Sequence, residues 1–274
     1  YPNSFNIRYA KGTINADGSV TWGAVEQVTT MNNSSYPNFA INPSIIVLNN
    51  VPLIVFEQKS ASLSANTFNN QESITVVKKD SSLITGNQYV HSNWSYKNIY
   101  QVSIYSQSSP SACVAPNGRI WVAWYGYDST DTTRYNIRVS YSDDGGVTWS
   151  AMQKLTNGNT YHQLKPSITV YKNNNVYVVW SGTHASSTTY YQIRKIKWDG
   201  STWGSIVNVT SNTTADATNP STLYDTTINV LEPLFIYQNV QTLKVGFYGT
   251  WVVNTISVTP GYIGQKTSAE KSNI

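Results

Sequence analysis

The residues best suited to chemistry in this chain are tyrosines and polar side chains gathered in segments predicted to be loops. A tyrosine ring offers a flat stacking face, and Asp, Arg and His offer planar polar partners, so together they suit recognition of a sugar. Each one alone can equally shield loop backbone or be solvated. The candidate ligand-binding residues are Tyr36, Tyr127, Asp128, Arg134, Tyr161, His162, His184 and Tyr190.

Three carboxylates in the same loops, Asp128, Asp131 and Asp216, are the candidates for catalysis. Hydrolysis of a glycoside with retention needs two carboxyls, or a tyrosine and a carboxyl, flanking one site, with a carboxyl pair about 5 Å apart. Further carboxylates near strand ends cannot be assigned to a tyrosine partner; they are Glu57, Glu72 and Glu232. Enzyme activity is therefore left open, with a non-catalytic role favoured.

No metal site or cofactor is predicted from the ligand pattern. The histidines His91, His162 and His184 are scattered without ligand spacing. Asp128 and Asp131 lie close together in one loop and can hold Ca²⁺ with carbonyl oxygens, although a solvated acidic loop is the alternative.

A tight turn, Ser142-Asp143-Asp144-Gly145-Gly146-Val147-Thr148-Trp149, organises the strands around these loops. A short carboxylate such as Asp144 accepts backbone N–H bonds in a turn, and Gly146 tolerates positive φ. Shorter or degenerate copies occur at 15–22 and 199–203. The residues assigned to these turns are Asp17, Trp22, Ser142, Asp144, Gly146, Thr148, Trp149, Asp199 and Trp203.

The spacing Ser-x-Asp-x-Gly-x-Thr-Trp resembles the Asp box of the bacterial neuraminidase repeat, found in sialidase-like β-propellers. In that family the box lies away from the ligand face, so the resemblance implies a structural role for Asp144. It also implies three substrate-binding arginines. Of the arginines here, Arg8, Arg138 and Arg194 occupy similar places in successive repeats, which favours a structural role, and only Arg134 lies in a loop on the predicted ligand face.

A second marker, Pro-Ser, opens apolar strands at Pro43, Pro110, Pro166 and Pro220. Their separations are 110 − 43 = 67, 166 − 110 = 56 and 220 − 166 = 54. Repeats of this order with several strands each are typical of propeller blades. We therefore predict an all-β fold, a propeller of four-stranded antiparallel blades, five-bladed, or six-bladed if upstream sequence is missing. The predicted single domain spans 1–274, with blades at about 1–30, 42–100, 110–156, 166–210 and 220–259 and a polar tail at 260–274.

The segment 1–30 is predicted to form only two outer strands, at 5–11 and 25–29. That blade needs a partner strand from the tail, from another chain or from a neighbouring domain. The ligand face is predicted from loops between blades and between second and third strands. Among them are the segments 58–72, 126–134, 156–166, 181–190 and 210–220.

Composition narrows the function further. Charged residues make up 12% of the 274 residues and aromatic residues 13%, and the net charge is +4. Basic runs are limited to pairs such as Lys78-Lys79, and no apolar stretch approaches the roughly 20 residues of a membrane helix, so neither nucleic acid nor membrane insertion is predicted. Cys113 stands alone and is predicted to be a buried thiol.

The leading hypothesis is a secreted or cell-surface propeller that binds glycans or a glycoprotein surface, or mediates adhesion, without catalysis. The alternatives are a sialidase-like glycoside hydrolase acting at the central cavity and a structural surface or assembly module.

Overall fold

The structure is a computed structural model, and it describes residues 4–31, 38–64, 67–85, 89–171, 174–211, 213–223, 234–239, 242–246 and 254–256. Strands are its main regular elements, and no α-helix occurs in these ranges. The all-β prediction is confirmed. The described part of the chain contains no helix of the length and hydropathy that crossing a membrane requires. The chain divides between Ile104 and Tyr105 into two compact units.

The first unit contains a five-stranded sheet in the order β1-β6-β7-β8-β9 and two two-stranded sheets, β2-β5 and β3-β4. β1 pairs with β6 in parallel, and the other pairs are antiparallel. In chain order its strands are β1 (Ser4–Phe5), β2 (Arg8–Tyr9), β3 (Gly12–Ile14), β4 (Val20–Trp22), β5 (Glu26–Gln27), β6 (Asn38–Leu48), β7 (Val51–Ser64), β8 (Thr67–Lys78) and β9 (Ser95–Ser103).

Two expectations for this unit are wrong. The predicted loop 58–72 is strand at 58–64 and 67–72, where β7 and β8 pair from Gln58↔Ser73 to Ser64↔Thr67. The segment 1–30, predicted to form two strands, contains five short ones in its described residues. β1 pairs with β6, β2 with β5 at Arg8↔Gln27, and β3 with β4 at Gly12↔Trp22. A two-residue turn at Asn49 and Asn50, both with positive φ, joins β6 to β7.

The second unit contains three four-stranded antiparallel sheets, in the orders β10-β11-β12-β13, β14-β15-β16-β17 and β18-β19-β20-β21. This strand number and order confirm the predicted sheet type. The strands are β10 (Gln107–Val114), β11 (Ile120–Gly126), β12 (Asn136–Ser142), β13 (Gln153–Lys154), β14 (Gln163–Tyr171), β15 (Asn175–His184), β16 (Ser187–Trp198), β17 (Val207–Asn208), β18 (Ala217–Leu223), β19 (Leu234–Asn239), β20 (Thr242–Gly246) and β21 (Asn254–Ile256).

The segment 181–190, predicted to be a loop, is also largely strand, since β15 and β16 pair as far as His184↔Ser187. The predicted polar tail, 260–274, lies outside the described residues. Cys113 on β10 is partly exposed as a residue, but burial of its thiol raises the pKa of that group, which agrees with an unreactive cysteine.

Apolar side chains from alternate strand positions form the core of each unit. In the second unit, Ala123 and Ile137 pack in one cluster with Val178 and Trp180, all 0% exposed. In the first unit, Phe56 and Trp94 belong to a comparable cluster. Full burial of one such aliphatic or aromatic side chain stabilises the fold by about 1.5–3 kcal/mol, so these clusters hold the sheets that carry the loops.

The Pro-Ser markers coincide with a β-bulge in one strand of each four- or five-stranded sheet. The strand register shifts immediately before each serine, between positions 41 and 44, 108 and 111, 164 and 167, and 218 and 221. Proline has no N–H to give to the ladder, and a bulge leaves its position unpaired. The residue before each proline has a left-handed φ, at Asn42 (53°), Ser109 (49°), Lys165 (53°) and Asn219 (53°).

The serines of the markers join neighbouring sheets in the second unit. Ser111 Oγ accepts the Ile168 backbone N–H at 3.2 Å, and Ser167 Oγ accepts that of Thr222 at 3.0 Å. A hydroxyl is compact enough to satisfy a backbone donor between two strands that share no ladder. The repeated serine therefore links sheet to sheet.

A glutamine–tryptophan–glycine contact recurs in the first two sheets of the second unit. Trp124 Nε1 donates to Gln107 Oε1 at 2.8 Å, and Trp180 Nε1 donates to Gln163 Oε1 at 2.6 Å. The glutamine lies against a glycine of the second strand; at Gly182 an added Cβ would come within 2.0 Å of Gln163 Oε1. At Gly182 the close approach of the Gln163 side chain, rather than the backbone angle, favours glycine.

Candidate functional site

Three tyrosines and a histidine meet at one end of the β11–β12 hairpin in the second unit. Tyr127 follows β11, Tyr135 precedes β12, and their rings stack with centroids 3.9 Å apart at 27°. Tyr125 meets Tyr135 edge-on at 4.9 Å, and the His162 ring lies 5.8 Å from Tyr135. All four are partly exposed. They present aromatic rings at a sheet end, where a flat polar ligand can stack. We call these four residues the tyrosine cluster.

The loop between Tyr127 and Tyr135 is fixed by Asp128. One of its oxygens accepts from the backbone N–H groups of Thr130 and Asp131 at 2.8 and 3.0 Å. The other lies 2.7 Å from both Arg138 NH2 and Lys154 Nζ. Burial alone would raise the pKa of Asp128, but hydrogen bonds from Lys154, Thr130 and Arg138 hold that pKa well below its ordinary value.

Asp131 ties the same loop to the following segment. Its carboxylate lies 2.7 Å from Lys154 Nζ and accepts the Gly158 backbone N–H at 2.9 Å. Asp128 and Asp131 thus share one lysine, and their oxygens are engaged by protein donors. These contacts favour a structural role over general-acid catalysis, which needs a carboxyl with a raised pKa. The oxygens that a Ca²⁺ ion would need are the same ones, and the Ca²⁺ hypothesis stays a prediction.

Side chains that could together bind a metal ion are not clustered in the ranges that the structure describes. Within them, no group of three or more His, Cys, Asp and Glu side chains is close enough to hold such an ion.

Arg134 immediately precedes Tyr135 of the tyrosine cluster. Its guanidinium donates to two backbone carbonyls, Nε to Thr160 O at 3.2 Å and NH1 to Thr133 O at 2.9 Å. Burial and, secondly, the Arg134 charge lower the pKa of His162 below its ordinary value of 6.5. His162 Nδ1 therefore accepts the Tyr135 backbone N–H, at 3.4 Å, as a neutral imidazole.

Tyr191 and Asp216 form the equivalent arrangement one sheet further along. Asp216 Oδ1 accepts the Tyr191 backbone N–H at 2.8 Å. Burial raises the pKa of Tyr191, and the Asp216 charge raises it further, with smaller influences from Arg134, Tyr125 and Tyr127. Asp216, a catalytic candidate, is exposed beside this tyrosine.

The remaining predicted ligand residues lie around this region or outside the described chain. Tyr161 precedes His162 and is partly exposed. His184 ends β15, where its Nδ1 accepts the Ser186 N–H at 3.2 Å. Tyr190 precedes Tyr191. Tyr36 lies outside the described residues.

The sequence prediction includes Tyr127, Arg134 and His162, which the fold brings to one place, but it omits Tyr125, Tyr135 and Tyr191. A signal for two of them is present, because the interval 191 − 135 = 56 is also that of Pro110 and Pro166. Tyr135 and Tyr191 therefore occupy the same position in successive repeats.

The turn at 142–149 is closed by side chains. Asp144 accepts from Thr148 through its N–H at 2.9 Å and its hydroxyl at 2.6 Å, and Ser142 Oγ accepts the Gly146 N–H at 2.9 Å. Trp149 Nε1 donates to Gly146 O at 3.0 Å. Slight burial opposes ionisation, yet the hydrogen bonds from Thr148 and Ser142 lower the pKa of Asp144 to about 2.

Similar but smaller turns occur at Asp17, Asp199 and Asp80. Each carboxylate accepts from the serine two positions later, through the backbone N–H at 2.8–2.9 Å and the hydroxyl at 2.6–2.9 Å. The sequence gives little sign of the turn at Asp80, because apart from the aspartate it shares only the serine with the other two. Assignment of these turns to the neuraminidase repeat stays a prediction.

The tryptophans after the turns have different surroundings. Trp203 packs against Trp121 and Trp198, with ring centroids 5.8 and 5.5 Å away, and its Nε1 donates to Gln153 Oε1 at 3.1 Å. Trp22 is 67% exposed on the β3–β4 hairpin. Trp203 therefore joins two sheets of the second unit.

The first unit holds two buried carboxylates of its own. Glu57 Oε2 accepts from Asn42 Nδ2 at 2.9 Å, and Glu72 Oε1 lies 2.7 Å from Lys59 Nζ. Both glutamates are less than 9% exposed. Glu232 lies outside the described residues.

No protein-family model and no curated protein sequence matches the chain. Solved structures do. An α-L-arabinanase from Penicillium chrysogenum, complexed with arabinobiose, gives a TM-score of 0.59 at 12% identity over 92% of this chain and 74% of its own. A protein of unknown function from Dyadobacter fermentans gives 0.56 at 14% identity over 76% and 65%. A Trypanosoma rangeli sialidase gives 0.50 at 12% identity over 89% and 43%.

At these identities the likeness shows the fold, a propeller-like set of four-stranded antiparallel sheets. The chain spans about two thirds of the Dyadobacter protein and less than half of the sialidase. The number of blades and the closure of the ring stay predictions.

Proposed function

We propose that the protein is a secreted or cell-surface β-propeller that binds a glycan or a glycoprotein surface through the tyrosine cluster, without catalysis. The observation that carries the proposal is the stacked pair Tyr127–Tyr135, partly exposed beside Arg134 and His162. Two of the structures with a similar fold are described as an arabinanase and a sialidase, which supports a ligand of this class.

The cluster suits binding because its shape is set in advance. The Asp128 and Asp131 contacts hold the loop between the stacked tyrosines, so little conformational entropy remains to be lost when a ligand binds. The tyrosine rings can then stack on the apolar face of a sugar, and the planar polar groups can form hydrogen bonds with its hydroxyls.

The test is a glycan array followed by calorimetry on the wild type and on Tyr127→Ala. Loss of one aromatic contact of about 0.5–1.5 kcal/mol corresponds to a roughly two- to twelvefold weaker affinity. Tyr141→Ala, at the far end of β12, is the matched control and should bind as the wild type does. A folded sample that binds no glycan on a broad array contradicts the proposal.

A second candidate function is glycoside hydrolysis at the same face, favoured by the exposed carboxylate Asp216 beside Tyr191. A tyrosine and a carboxylate are one of the pairs that glycosidases use. Turnover of a chromogenic glycoside by the wild type, abolished in Asp216→Asn but retained in Asp143→Asn, would establish it. No turnover across a broad panel of such substrates leaves binding as the function.

The third candidate is an assembly module joined to a neighbouring domain or chain. It is favoured by the β3–β4 hairpin, where Ile14, Val20 and Trp22 are 76%, 45% and 67% exposed on one face. An apolar strand face left open is a site for association. Light scattering of the wild type and of Trp22→Ser tests it, since a dimer that becomes a monomer on substitution supports a partner chain at this hairpin. A wild type that stays monomeric at high concentration contradicts self-association there.

A further inference from the structure

The tyrosine cluster and its neighbour are two copies of one arrangement. The interval from Tyr135 to Tyr191 is 191 − 135 = 56, and that from His162 to Asp216 is 216 − 162 = 54, which match the spacings of the Pro-Ser markers. In each copy the backbone N–H of the tyrosine donates to the residue just before the first strand of the following sheet, His162 in one and Asp216 in the other. The fold thus presents the same aromatic position twice.

Backbone pairing connects the two copies directly. The Gln163 backbone N–H donates to Tyr135 O at 2.9 Å. Gln163 pairs with Gly182, and Gly182 pairs with Gln192, the residue after Tyr191. Neighbouring strands lie about 4.8 Å apart, so these three steps separate the two tyrosines by roughly 10–15 Å. One sugar ring cannot reach from the first to the second.

The electrostatics agree with one shared surface. The pKa of Tyr191 is influenced by Arg134, Tyr125 and Tyr127, which places it within electrostatic reach of the first copy. The separation of roughly 10–15 Å that the strand spacing gives means that a ligand contacting both copies needs more than one sugar unit.

Charged side chains at or beside this surface are Arg134, Arg194 and Asp216. Arg194 donates from Nε to Asn208 Oδ1 at 3.0 Å and from NH1 to Gln163 Oε1 at 3.1 Å. Arg134 contributes one positive charge, but its Nε and NH1 are directed to the carbonyls of Thr160 and Thr133 rather than presented as a fork. Asp216 contributes one negative charge at an exposed position, and the lowered pKa of His162 keeps it neutral at pH 7. An acidic sugar finds at Arg134 only the hydrogens that remain on NH1 and NH2, and it meets Asp216 at the second copy.

On the premise that the protein binds glycans as proposed above, we propose that its ligand is a neutral oligosaccharide of at least two sugar units, running from the Tyr127–Tyr135 pair to Tyr191. Stacking on successive rings and hydrogen bonds to neutral hydroxyls carry recognition. The negative charge of Asp216 disfavours binding of carboxylated sugars.

Calorimetry tests chain length with neutral arabino- and galacto-oligosaccharides of one to four units. We expect affinity for the best series to rise at least tenfold between one unit and three. Tyr191→Ala should remove most of that gain, whereas the control Tyr141→Ala should keep it. Equal affinity for one unit and three overturns the two-copy part of the proposal.

The charge part is tested with pairs of equal length, digalactose against digalacturonate and trigalactose against trigalacturonate. Neutral members should bind at least tenfold more tightly, and Asp216→Asn should narrow that ratio, whereas Asp143→Asn, exposed in the 142–149 turn, should not. Tighter binding of the acidic members refutes this inference and leaves glycan binding standing. No binding of any glycan refutes the function itself, and the inference with it.

Discussion

Replacing Asp128 by Asn tests whether this carboxylate holds the ligand loop together. Arg138 has a fully buried side chain, and the Asp128 side chain is 12% exposed. Breaking a buried ion pair by removing one partner costs about 3–5 kcal/mol, because the other charge is left without compensation. We expect a cost at the lower end of this range, because Arg138 also donates to the carbonyls of Gly126 and Asn136, and Lys154 keeps its ion pair with Asp131.

A loss of about 3 kcal/mol corresponds to a fall in Tm of roughly 6–12 °C, at about 2–4 °C per kcal/mol for a domain of 150–250 residues. Differential scanning calorimetry at pH 7 measures it. Asp143→Asn is the matched control, because it breaks the Arg119–Asp143 pair in which the carboxylate side chain is 56% exposed. Such a pair contributes at most about 1 kcal/mol.

Comparison of the two variants shows whether the buried ion pair holds the loop. If Asp128→Asn melts no lower than Asp143→Asn, the buried pair does not hold the loop and the structural role argued for Asp128 is refuted. If Asp128→Asn also loses glycan binding in proportion to its loss of stability, the loop that Asp128 holds also positions the tyrosine cluster for binding.

Other outcomes follow from the geometry. Gly182→Ala should lower the free energy of unfolding by about 1–3 kcal/mol in denaturant titrations, because the new Cβ displaces Gln163 from its place against the second strand; wild-type stability would refute the contact. Because the pKa of His162 is lowered in the folded protein, the neutral imidazole stabilises the fold fully above pH 6.5, and this stabilisation is lost as the pH falls below that value. His162→Gln should therefore flatten the dependence of Tm on pH between 7 and 5. An unchanged slope would contradict this account. Asp144→Asn should lower Tm at pH 7, and the difference should shrink towards pH 2, where wild-type Asp144 also becomes protonated; a difference independent of pH would exclude the Thr148 hydrogen bonds as its source.

The strands that the sequence predicts correctly are those rich in apolar residues. The segments 120–125 and 176–180 carry aliphatic and aromatic residues that predict strands on pattern alone, and they lie in β11 and β15. The strand extensions at 58–64 and 67–72 are not predicted, because their Ser, Asn and Gln residues show no such pattern. Backbone pairing between two polar strands leaves little trace in a sequence.

The candidate site is predictable only in part, for a similar reason. The repeat spacing and the residue types predict that Tyr127 and His162 lie on the same face, since both lie in loops beside strands of consecutive repeats. The engagement of Asp128 depends on Lys154 of β13 and on Arg138 inside the sheet. A carboxylate that looks available in sequence can be neutralised by partners that only folding brings to it.

The left-handed residue before each marker proline has a consequence for how this protein can change. At Asn42, Ser109, Lys165 and Asn219 the bulge dictates the backbone angle, at a cost of about 1–2 kcal/mol for a residue with a Cβ. Because Lys, Ser and Asn all occupy the position, the same backbone accepts side chains of different length and charge there. Asn42 and Asn219 also donate from their side chains to Glu57 and Gln238. A directed library confined to Ser109 and Lys165 would therefore vary the chemistry of the protein while the bulges and the sheets around them keep their form.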